Sequence, residues 1–316
     1  MRISSSLKTV LKPTVAALGN FDGLHCGHRQ VIQPILTQSV GQTLAHGAER
    51  IYSTVVSFSP HPVEFFSGRT VPTLTPGNEK AHQLQQMGVD QLVLLPFDHA
   101  LACLTPEEFV REILVHHLQA RFVSVGEDFR FGCRRSGTAE DLKAIAATHG
   151  IEVVLVALET FQGERISSTA IRKALQTGDL ATANRMLGRS YSLVGEVVKG
   201  QQLGRTIGFP TANLAVPDRK LIPHQGVYAV RVSGIAGTSH PVLGVMNIGN
   251  RPTVNGLQQT IEVHLLDWSG DLYGETLTVE LLEFIRMEQK FSSLDDLKAQ
   301  ITTDCAIARQ RLALCK

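Results

Sequence analysis

The strongest constraint on the fold is a change of hydrophobic pattern near residue 188 of the 316-residue chain. Before it, nearly continuous apolar runs alternate with helical stretches. Such runs indicate strands covered on both faces, and repeated strand–helix units favour a parallel, doubly wound sheet of the α/β class. The runs are TVAAL (14–18), IYSTVVSF (51–58), LVLLPF (92–97), RFVSV (121–125) and IEVVLVAL (151–158).

Turn residues mark the helix boundaries between these runs. TPEE (105–108) and TAED (138–141) predict capping boxes at helix starts, and Gly88 and Gly150 predict helix ends. Because ligands of such sheets lie beyond the carboxyl ends of the strands, functional residues are expected in the segments that follow the apolar runs.

After residue 188, short strand-like runs follow one another without helices between them. Turn residues separate them at short intervals, which is typical of an antiparallel barrel or sandwich. The tail predicts one helix that starts at Ser292 or Ser293. We therefore expect two domains, 1–187 and 188–316. The later runs are SLVGEVVKG (192–200), GVYAVRVSG (226–234), PVLGVMNIG (241–249), TIEVHLLDW (260–268) and LTVELLEFI (277–285).

Composition argues against several classes of protein. The formal net charge is +1, from 30 basic and 29 acidic residues, which lacks the positive footprint of a nucleic-acid binder. No apolar run approaches the roughly 20 residues of a membrane span, and no secretion signal is apparent. Five cysteines, with no C-x-x-C pair, predict reduced thiols and a cytoplasmic protein rather than a disulfide framework or a structural zinc site.

The stretch GNFDGLHCGH (19–28) follows the first apolar run and opens a helix. Parallel sheets bind phosphates at this place, because glycines allow close backbone approach and the helix N-terminus favours negative charge. The spacing of the glycines differs from G-x-G-x-x-G, and no P-loop motif occurs in the chain. The stretch therefore predicts a phosphate site of another kind.

His25 and His28 lie three residues apart in this stretch, so they share one face at the helix start. Three interpretations compete. The histidines could be two ligands of a metal, although no third ligand is apparent; they could be ordinary loop residues; or they could donate hydrogen bonds to a phosphate during transfer, where they would stabilise charge on its oxygens.

A second anion site is suggested by ISSTAIR (166–172). It starts a helix, so Ser168 and Thr169 can cap the helix and offer hydroxyls and amides to phosphate oxygens. Arg172, one turn on, can reach the same anion. Plain capping with a solvated arginine is the alternative. His61, held between two prolines, could contact a ligand or be purely structural.

The second half carries its own polar motif, GQQLGRTIGFPTANL (200–214). Its glycines, Gly204 and Gly208 among them, predict a flexible loop that wraps phosphates. Thr211 and Asn213 face the same way on a strand, and their oxygens suit Mg²⁺ bound mostly by nucleotide phosphates. A polar turn after a proline is the alternative.

Glu262 and His264 share one face of a later strand. A carboxylate in that position could accept the proton of an alcohol that attacks a γ-phosphate. A surface strand with alternating polar residues is the competing interpretation.

These motifs together resemble one family. GNFDGLHCGH resembles the H-x-G-H nucleotidyltransferase motif in the form used by bacterial riboflavin kinase/FAD synthetase, a two-function flavin enzyme. The resemblance implies a Rossmann-like sheet of the nucleotidyltransferase type. Further signatures follow in the family's order: SFSPHPVEFF (57–66), VGEDFRFG (125–132) and RISSTAIRKAL (165–175).

In the first half, the resemblance implies that His25 and His28 handle the phosphates of ATP. Asp128, where some relatives carry asparagine, is expected beside the flavin. The residues expected to bind ATP or its phosphates are Gly19, Phe21, Gly23, Gly27, Ser168, Thr169, Arg172, Gly204 and Gly208, the last two in the second half.

The second half resembles the riboflavin kinase module through PTAN, NIGNRPTV (247–254) and FIRMEQKF (284–291). The resemblance implies a Greek-key β-barrel in which Thr211 and Asn213 hold Mg-nucleotide. It also implies that Glu262 activates the 5′-hydroxyl of riboflavin and that Arg286 lies near the flavin.

The expected function is bifunctional flavin-cofactor synthesis. The second half would phosphorylate riboflavin with ATP, and the first half would transfer AMP from ATP to FMN, giving FAD and pyrophosphate. Expected partners are therefore ATP, riboflavin, FMN and FAD with Mg²⁺, and neither nucleic acid nor membrane. Two rivals remain: a nucleotidyltransferase that acts on another phosphate ester, and a non-catalytic flavin-binding protein.

Overall fold

The structure, a computed structural model, describes residues 1–43, 50–200, 202–253 and 256–313. The chain divides into two compact units, Met1–Ser168 and Thr169–Lys316. This division falls earlier than the boundary expected from the hydrophobic pattern, so the 187/188 boundary stays a prediction about domains.

The first unit alternates strands and helices, as the apolar runs predict. Its strands are β1 (Arg2–Ser4), β2 (Thr14–Leu18), β3 (Tyr52–Ser59), β4 (Gln91–Pro96), β5 (Ala120–Gly126), β6 (Arg130–Phe131), β7 (Gly137–Thr138), β8 (Glu152–Val156), β9 (Thr160–Phe161) and β10 (Glu164–Arg165). Its α-helices are α1 (Cys26–Thr43), α2 (Pro62–Ser67), α3 (Gly77–Gln86), α4 (His99–Cys103), α5 (Pro106–Phe109) and α6 (Ala139–Ala147). Short 3₁₀ turns lie at Leu7–Thr9 and Cys133–Arg135, and α5 continues as a π-helix over Val110–His117.

Six of these strands form one parallel sheet in the order β1-β4-β3-β2-β5-β8. From β2 the chain first moves to β3 and β4, and it then returns to β5 on the other side of β2. The strand order therefore reverses between β2 and β5. In open parallel sheets the crevice beyond the carboxyl ends of the strands at such a reversal is where ligands bind.

The sheet is covered on both faces, which explains its continuous apolar strands. All five residues of β2 are buried, and alternate β2 residues enter two separate hydrophobic clusters. One cluster contains Ala16 and Leu18, and the other contains Val15 and Ala17. The helix starts at Thr105 and Thr138 have the predicted capping boxes.

The second unit is mainly β-structure. Its strands are β11 (Tyr191–Val198), β12 (Ala212–Ala215), β13 (Gly226–Ser233), β14 (Val242–Thr253), β15 (Gly256–Leu265) and β16 (Thr276–Arg286). The remaining helices of the chain are α7 (Ser168–Gln176), α8 (Leu180–Leu187), α9 (Leu203–Thr206) and α10 (Leu294–Ala313). Ser293 accepts a hydrogen bond from the Asp296 amide and so caps α10, as predicted.

The six strands close into an antiparallel barrel in the order β11-β12-β15-β14-β13-β16. Three consecutive strands, β13 to β15, form a meander, and β16 returns beside the first of them. This arrangement is a Greek key and confirms the expected fold of this half. Among the described residues, no helix combines the length and apolar character needed to cross a membrane.

The barrel yields a prediction about stability. A Cβ added at Gly195 on β11 would overlap the Ala215 carbonyl oxygen of the neighbouring strand. We expect Gly195→Ala to lower the free energy of unfolding by about 1–3 kcal/mol, because the strands cannot separate without loss of their hydrogen bonds. Gly77→Ala is the matched control, since its Cβ would meet open space. Denaturant unfolding of both variants measures the effect, and equal stabilities would contradict the steric argument.

Candidate active sites

The turn between β2 and α1 lies at the point where the strand order reverses. Its backbone is held in an unusual conformation, since Phe21 and Leu24 have φ angles of 48° and 44°. Both side chains are only 1% exposed. Left-handed conformations at large non-glycine residues persist only where the surroundings enforce them, and they cluster at ligand sites.

A buried carboxylate braces this turn. Asp22, 4% exposed, accepts hydrogen bonds from the amides of Leu74 and Thr75 at 3.1 and 3.0 Å. The Thr75 hydroxyl in turn accepts one from the Gly23 amide at 2.8 Å. These bonds tie the turn to the segment that precedes α3.

A buried lysine braces the turn from another side. The Lys80 ammonium on α3 donates to the Asn20 carbonyl at 2.8 Å and to the Ser57 hydroxyl at 3.0 Å. Burial lowers the pKa of Lys80 to about 8, although the nearby Asp22 carboxylate favours the charged form. Lys80 was not predicted from the sequence; the one available signal was its place beside Ala81 and Leu84, with which it shares the buried face of α3.

The structure brings His25 and His28 together. Their rings stack with centroids 3.6 Å apart and planes inclined by 16°. The His28 amide donates to Nδ1 of His25 at 3.2 Å. Because this nitrogen accepts a hydrogen bond, a neutral His25 carries its proton on Nε2.

His28 is held in its neutral form. Its removal from water lowers its pKa well below the ordinary value, and the charges of His25 and Lys80 lower the pKa further. Nδ1 of His28 is buried and has no hydrogen-bond partner in the described parts of the chain. A buried polar atom of this kind is costly unless a ligand or water completes it.

The predicted ATP-binding residues of the turn lie in different surroundings. The Phe21 ring belongs to the core and packs edge-on against His28 at 5.3 Å, so only its backbone can face a ligand. Gly23 has a φ of 89°, and a Cβ at Gly19 would crowd the Phe21 ring at 3.1 Å. A Cβ at Gly27 would make only ordinary contacts with His25.

The prediction that Ser168 and Thr169 cap a helix is wrong. Helix α7 begins at Ser168, which places Ser168 and Thr169 inside the first turn instead of at the cap. The Ser168 hydroxyl donates to the Asp22 carbonyl at 2.8 Å, so it stabilises the β2–α1 turn. Thr169 and Arg172 belong to the second compact unit, and their contact with phosphate stays a prediction.

Two other residues of the first unit have defined partners. Asp128, just beyond β5, forms an ion pair with Arg165. His61 caps α2: its Nδ1 accepts from the Val63 amide at 3.1 Å, and the Glu64 carboxylate accepts from the His61 amide. The structure thus gives His61 the structural role that was one of its two interpretations.

The barrel contains a cavity of about 340 Å³. Three polar residues form a row across adjacent strands on its wall, because Asn213 on β12 and Asn247 on β14 both pair directly with Glu262 on β15. Thr211 lines the same cavity. Asn247 is the first residue of the NIGNRPTV motif, and no role was predicted for it from the sequence. Val254, at the end of that motif, lies outside the described residues.

The described part of the glycine-rich loop is locally ordered, and its flexibility around a phosphate stays a prediction. It contains the short helix α9, and its glycines are needed for close packing. A Cβ at Gly200 would overlap the Asn213 amide, and one at Gly204 would overlap the Phe209 carbonyl. Gly208 has a φ of 89° and open space around it.

Two contacts order the rest of this cavity. His264 lies on the wall with Glu262, and its Nδ1 is 2.8 Å from the Pro210 carbonyl, so it joins β15 to the PTAN turn. Arg286 binds Asp304 of α10 through three hydrogen bonds of 2.7–3.1 Å, and Asp304 is 2% exposed. Arg286 therefore lines the cavity with its guanidinium already anchored.

Comparison with known proteins identifies a family for each half of the chain. A family model described as FAD synthetase matches residues 7–170, and one described as riboflavin kinase matches residues 187–312. The bifunctional riboflavin kinase/FMN adenylyltransferase of Escherichia coli K12 is 43% identical over 96% of this chain and 94% of its own length. The chain belongs to the bifunctional riboflavin kinase/FMN adenylyltransferase family. The Haemophilus influenzae member is 40% identical over 95% of this chain and 94% of its own length.

A solved structure supports the fold of both halves. The crystal structure of a Streptococcus pneumoniae protein named as a macrolide-efflux protein matches with a TM-score of 0.84 and 31% identity, covering 97% of this chain and 98% of that one. As a member of the family, the chain is a transferase with riboflavin kinase and FMN adenylyltransferase activities. These findings confirm the family and the function that the motifs predict.

The environment of His28 makes a prediction about pH. With its pKa well below the ordinary value of about 6.5, His28 stays neutral at pH 6, while in the unfolded chain it protonates near pH 6.5. The contribution of His28 to the free energy of unfolding should therefore be fully present above pH 6.5. It should be lost as the pH falls below that value.

Ring-nitrogen NMR of the histidines measures this directly. We expect the His28 resonance to remain that of a neutral ring at pH 6, and His28→Gln to reduce the loss of stability between pH 6.5 and 5. His82→Gln, at an exposed position on α3, is the control. Protonation of His28 with an ordinary midpoint would refute the burial argument.

Proposed function

We propose that the barrel cavity is the riboflavin kinase site. The 5′-hydroxyl of riboflavin would attack the γ-phosphorus of ATP, while Glu262 accepts its proton and ADP departs. Apolar residues such as Val227, Val245 and Ile301 line the cavity beside Glu262 and offer surface for a flavin ring. The observation that carries this assignment is the row Asn213–Glu262–Asn247 across three paired strands.

Mg²⁺ is the expected metal of this site, and the residues fit it. Thr211 and Asn213 offer neutral oxygens, Glu262 stands beside them, and all three line one cavity. The described residues contain no group of three or more histidine, cysteine or acidic side chains suited to a metal. A metal held mainly by nucleotide phosphates needs few protein ligands. When bound, it would neutralise charge on those phosphates.

The β2–α1 turn is our proposed FMN adenylyltransferase site. An oxygen of the FMN phosphate would form a bond to the α-phosphorus of ATP, and the bond to the β-phosphate oxygen would break to release pyrophosphate. The attacking group is already an anion, so no general base is needed. Nε2–H of His25, a ring N–H of neutral His28 and the N-terminus of α1 would stabilise charge on the phosphate oxygens.

Other residues are assigned supporting roles. Asp128 would face the flavin, with its carboxylate held by Arg165. Thr169 and Arg172 would donate hydrogen bonds to phosphate. In the barrel, Arg286 would contact the flavin while its guanidinium stays bound to Asp304. A cytoplasmic location accords with the free state of the described cysteines and with the use of ATP.

The two rivals give different products. A nucleotidyltransferase for another phosphate ester would make no FMN, and a binding protein would leave ATP intact. Incubation with ATP, Mg²⁺ and riboflavin, followed by chromatography, should yield FMN and then FAD.

The kinase assignment predicts the effect of one neutral substitution. Glu262→Gln should abolish riboflavin phosphorylation, because the amide cannot accept the proton, while added FMN is still converted to FAD. Glu280→Gln is the matched control, since that glutamate forms an ion pair with Arg231 on β13 and does not line the cavity. Loss of both activities in Glu262→Gln would contradict the separation of the two sites.

The adenylyltransferase assignment predicts the converse. His28→Ala should slow FAD formation from FMN by about 10²–10³-fold, by analogy with the loss of one oxyanion donor, and leave riboflavin phosphorylation unchanged. Steady-state assays of both reactions measure this, with His82→Ala as control. An unchanged rate of FAD formation would count against the role of the histidine.

A further inference from the structure

Lys80 is a buried cation on α3 that contacts the β2–α1 turn. Its Nζ has two acceptors, and one of them, the Asn20 carbonyl, also accepts from the Ser57 hydroxyl at 2.8 Å. Two donors from separate elements, α3 and β3, thus converge on one peptide group of the β2–α1 turn. A lysine 9% exposed would be a costly means of fixing a loop that has no other task.

The direction of that peptide group matters for phosphate binding. In a planar trans peptide, the C=O and the following N–H point in opposite directions. Because Lys80 and Ser57 hold the Asn20 carbonyl against the sheet, the Phe21 N–H is aimed away from them. This N–H has no acceptor within the described residues. An oriented amide without a protein partner, beside a helix N-terminus, is suited to an anion.

We propose that Lys80 is a positioning residue for adenylyl transfer, which aims the Phe21 amide at a phosphate oxygen and adds fixed positive charge behind it. The proposal rests on the assignment of the β2–α1 turn as the adenylyltransferase site. The Lys80 ammonium donates to the Asn20 carbonyl and to the Ser57 hydroxyl, so it acts through the turn.

The charge of Lys80 gives the proposal a signature in pH. The titratable groups that face it are Asp22 and His28, and Ser57 faces it from β3. With its pKa near 8, the ammonium loses its proton at mildly alkaline pH, whereas His28, whose pKa burial lowers well below its ordinary value, is neutral throughout that range. The phosphate of FMN is also fully ionised there, since its second pKa is about 6.

The experiment compares Lys80→Met and Lys80→Arg in the full-length chain. Lys80→Met should lower kcat/KM of FAD formation by about 10²-fold, as expected when a donor is misplaced. In the unaltered chain FAD formation should decline above pH 8. Lys80→Arg should retain part of the activity and lose this decline, because a guanidinium keeps its charge. Lys143→Met, at an exposed position on α6, is the control.

The outcomes distinguish the role of Lys80 from the assignment of the β2–α1 turn as the adenylyltransferase site. FAD formation within twofold of the unaltered chain in Lys80→Met, or an unchanged alkaline decline in Lys80→Arg, would overturn the role of Lys80. If His28→Ala were also without effect, the site assignment itself would fall. Should Lys80→Met not fold, as judged by circular dichroism, Ser57→Ala removes the other donor to Asn20 and should lower kcat while the alkaline decline remains; full activity in Ser57→Ala would overturn the proposal.

Discussion

The structure of the first unit depends on buried polar groups that hold the β2–α1 turn in a strained shape. Asp22 binds two amides that precede α3, and Lys80 binds the Asn20 carbonyl. Without these bonds, the left-handed conformation of Phe21 and its neighbours would relax, because bulky residues adopt it at a cost of about 1–3 kcal/mol each. The two stacked histidines lie directly after this segment, so their placement follows from the same bonds.

In the barrel, strand pairing positions the polar groups of the cavity. Here the regular hydrogen bonding of three strands sets the spacing of Asn213, Glu262 and Asn247, and the buried Arg286–Asp304 ion pair holds another part of the same cavity. An antiparallel sheet fixes which side chains stand opposite one another, so a polar row on its inner face is rigid from the outset. In the first site irregular structure and buried charge position the polar groups, and in the second site strand register positions the row of three.

Local pattern sufficed where the physics is local. The continuous apolar runs predicted the five longer parallel strands, and Thr105, Thr138 and Ser293 marked helix starts. The motif of His25 and His28 was visible because its members lie close in sequence. The hydrogen bonds that hold the β2–α1 turn could not be predicted from the sequence, because their partners are far apart in the chain. Lys80 and Asn20 are 60 residues apart, and Asp22 and Leu74 are 52 apart. The short strand β1 was also missed, because three residues carry too little pattern.

The central claim is that this braced turn presents two imidazoles to the phosphates of a nucleotide. The most direct test is ring-nitrogen NMR of the histidines during titration with Mg²⁺ and a nonhydrolysable ATP analogue. The account predicts that the resonances of His25 and His28 shift and saturate at the analogue concentrations that inhibit FAD formation. Inhibition with both sets of resonances unmoved would contradict it.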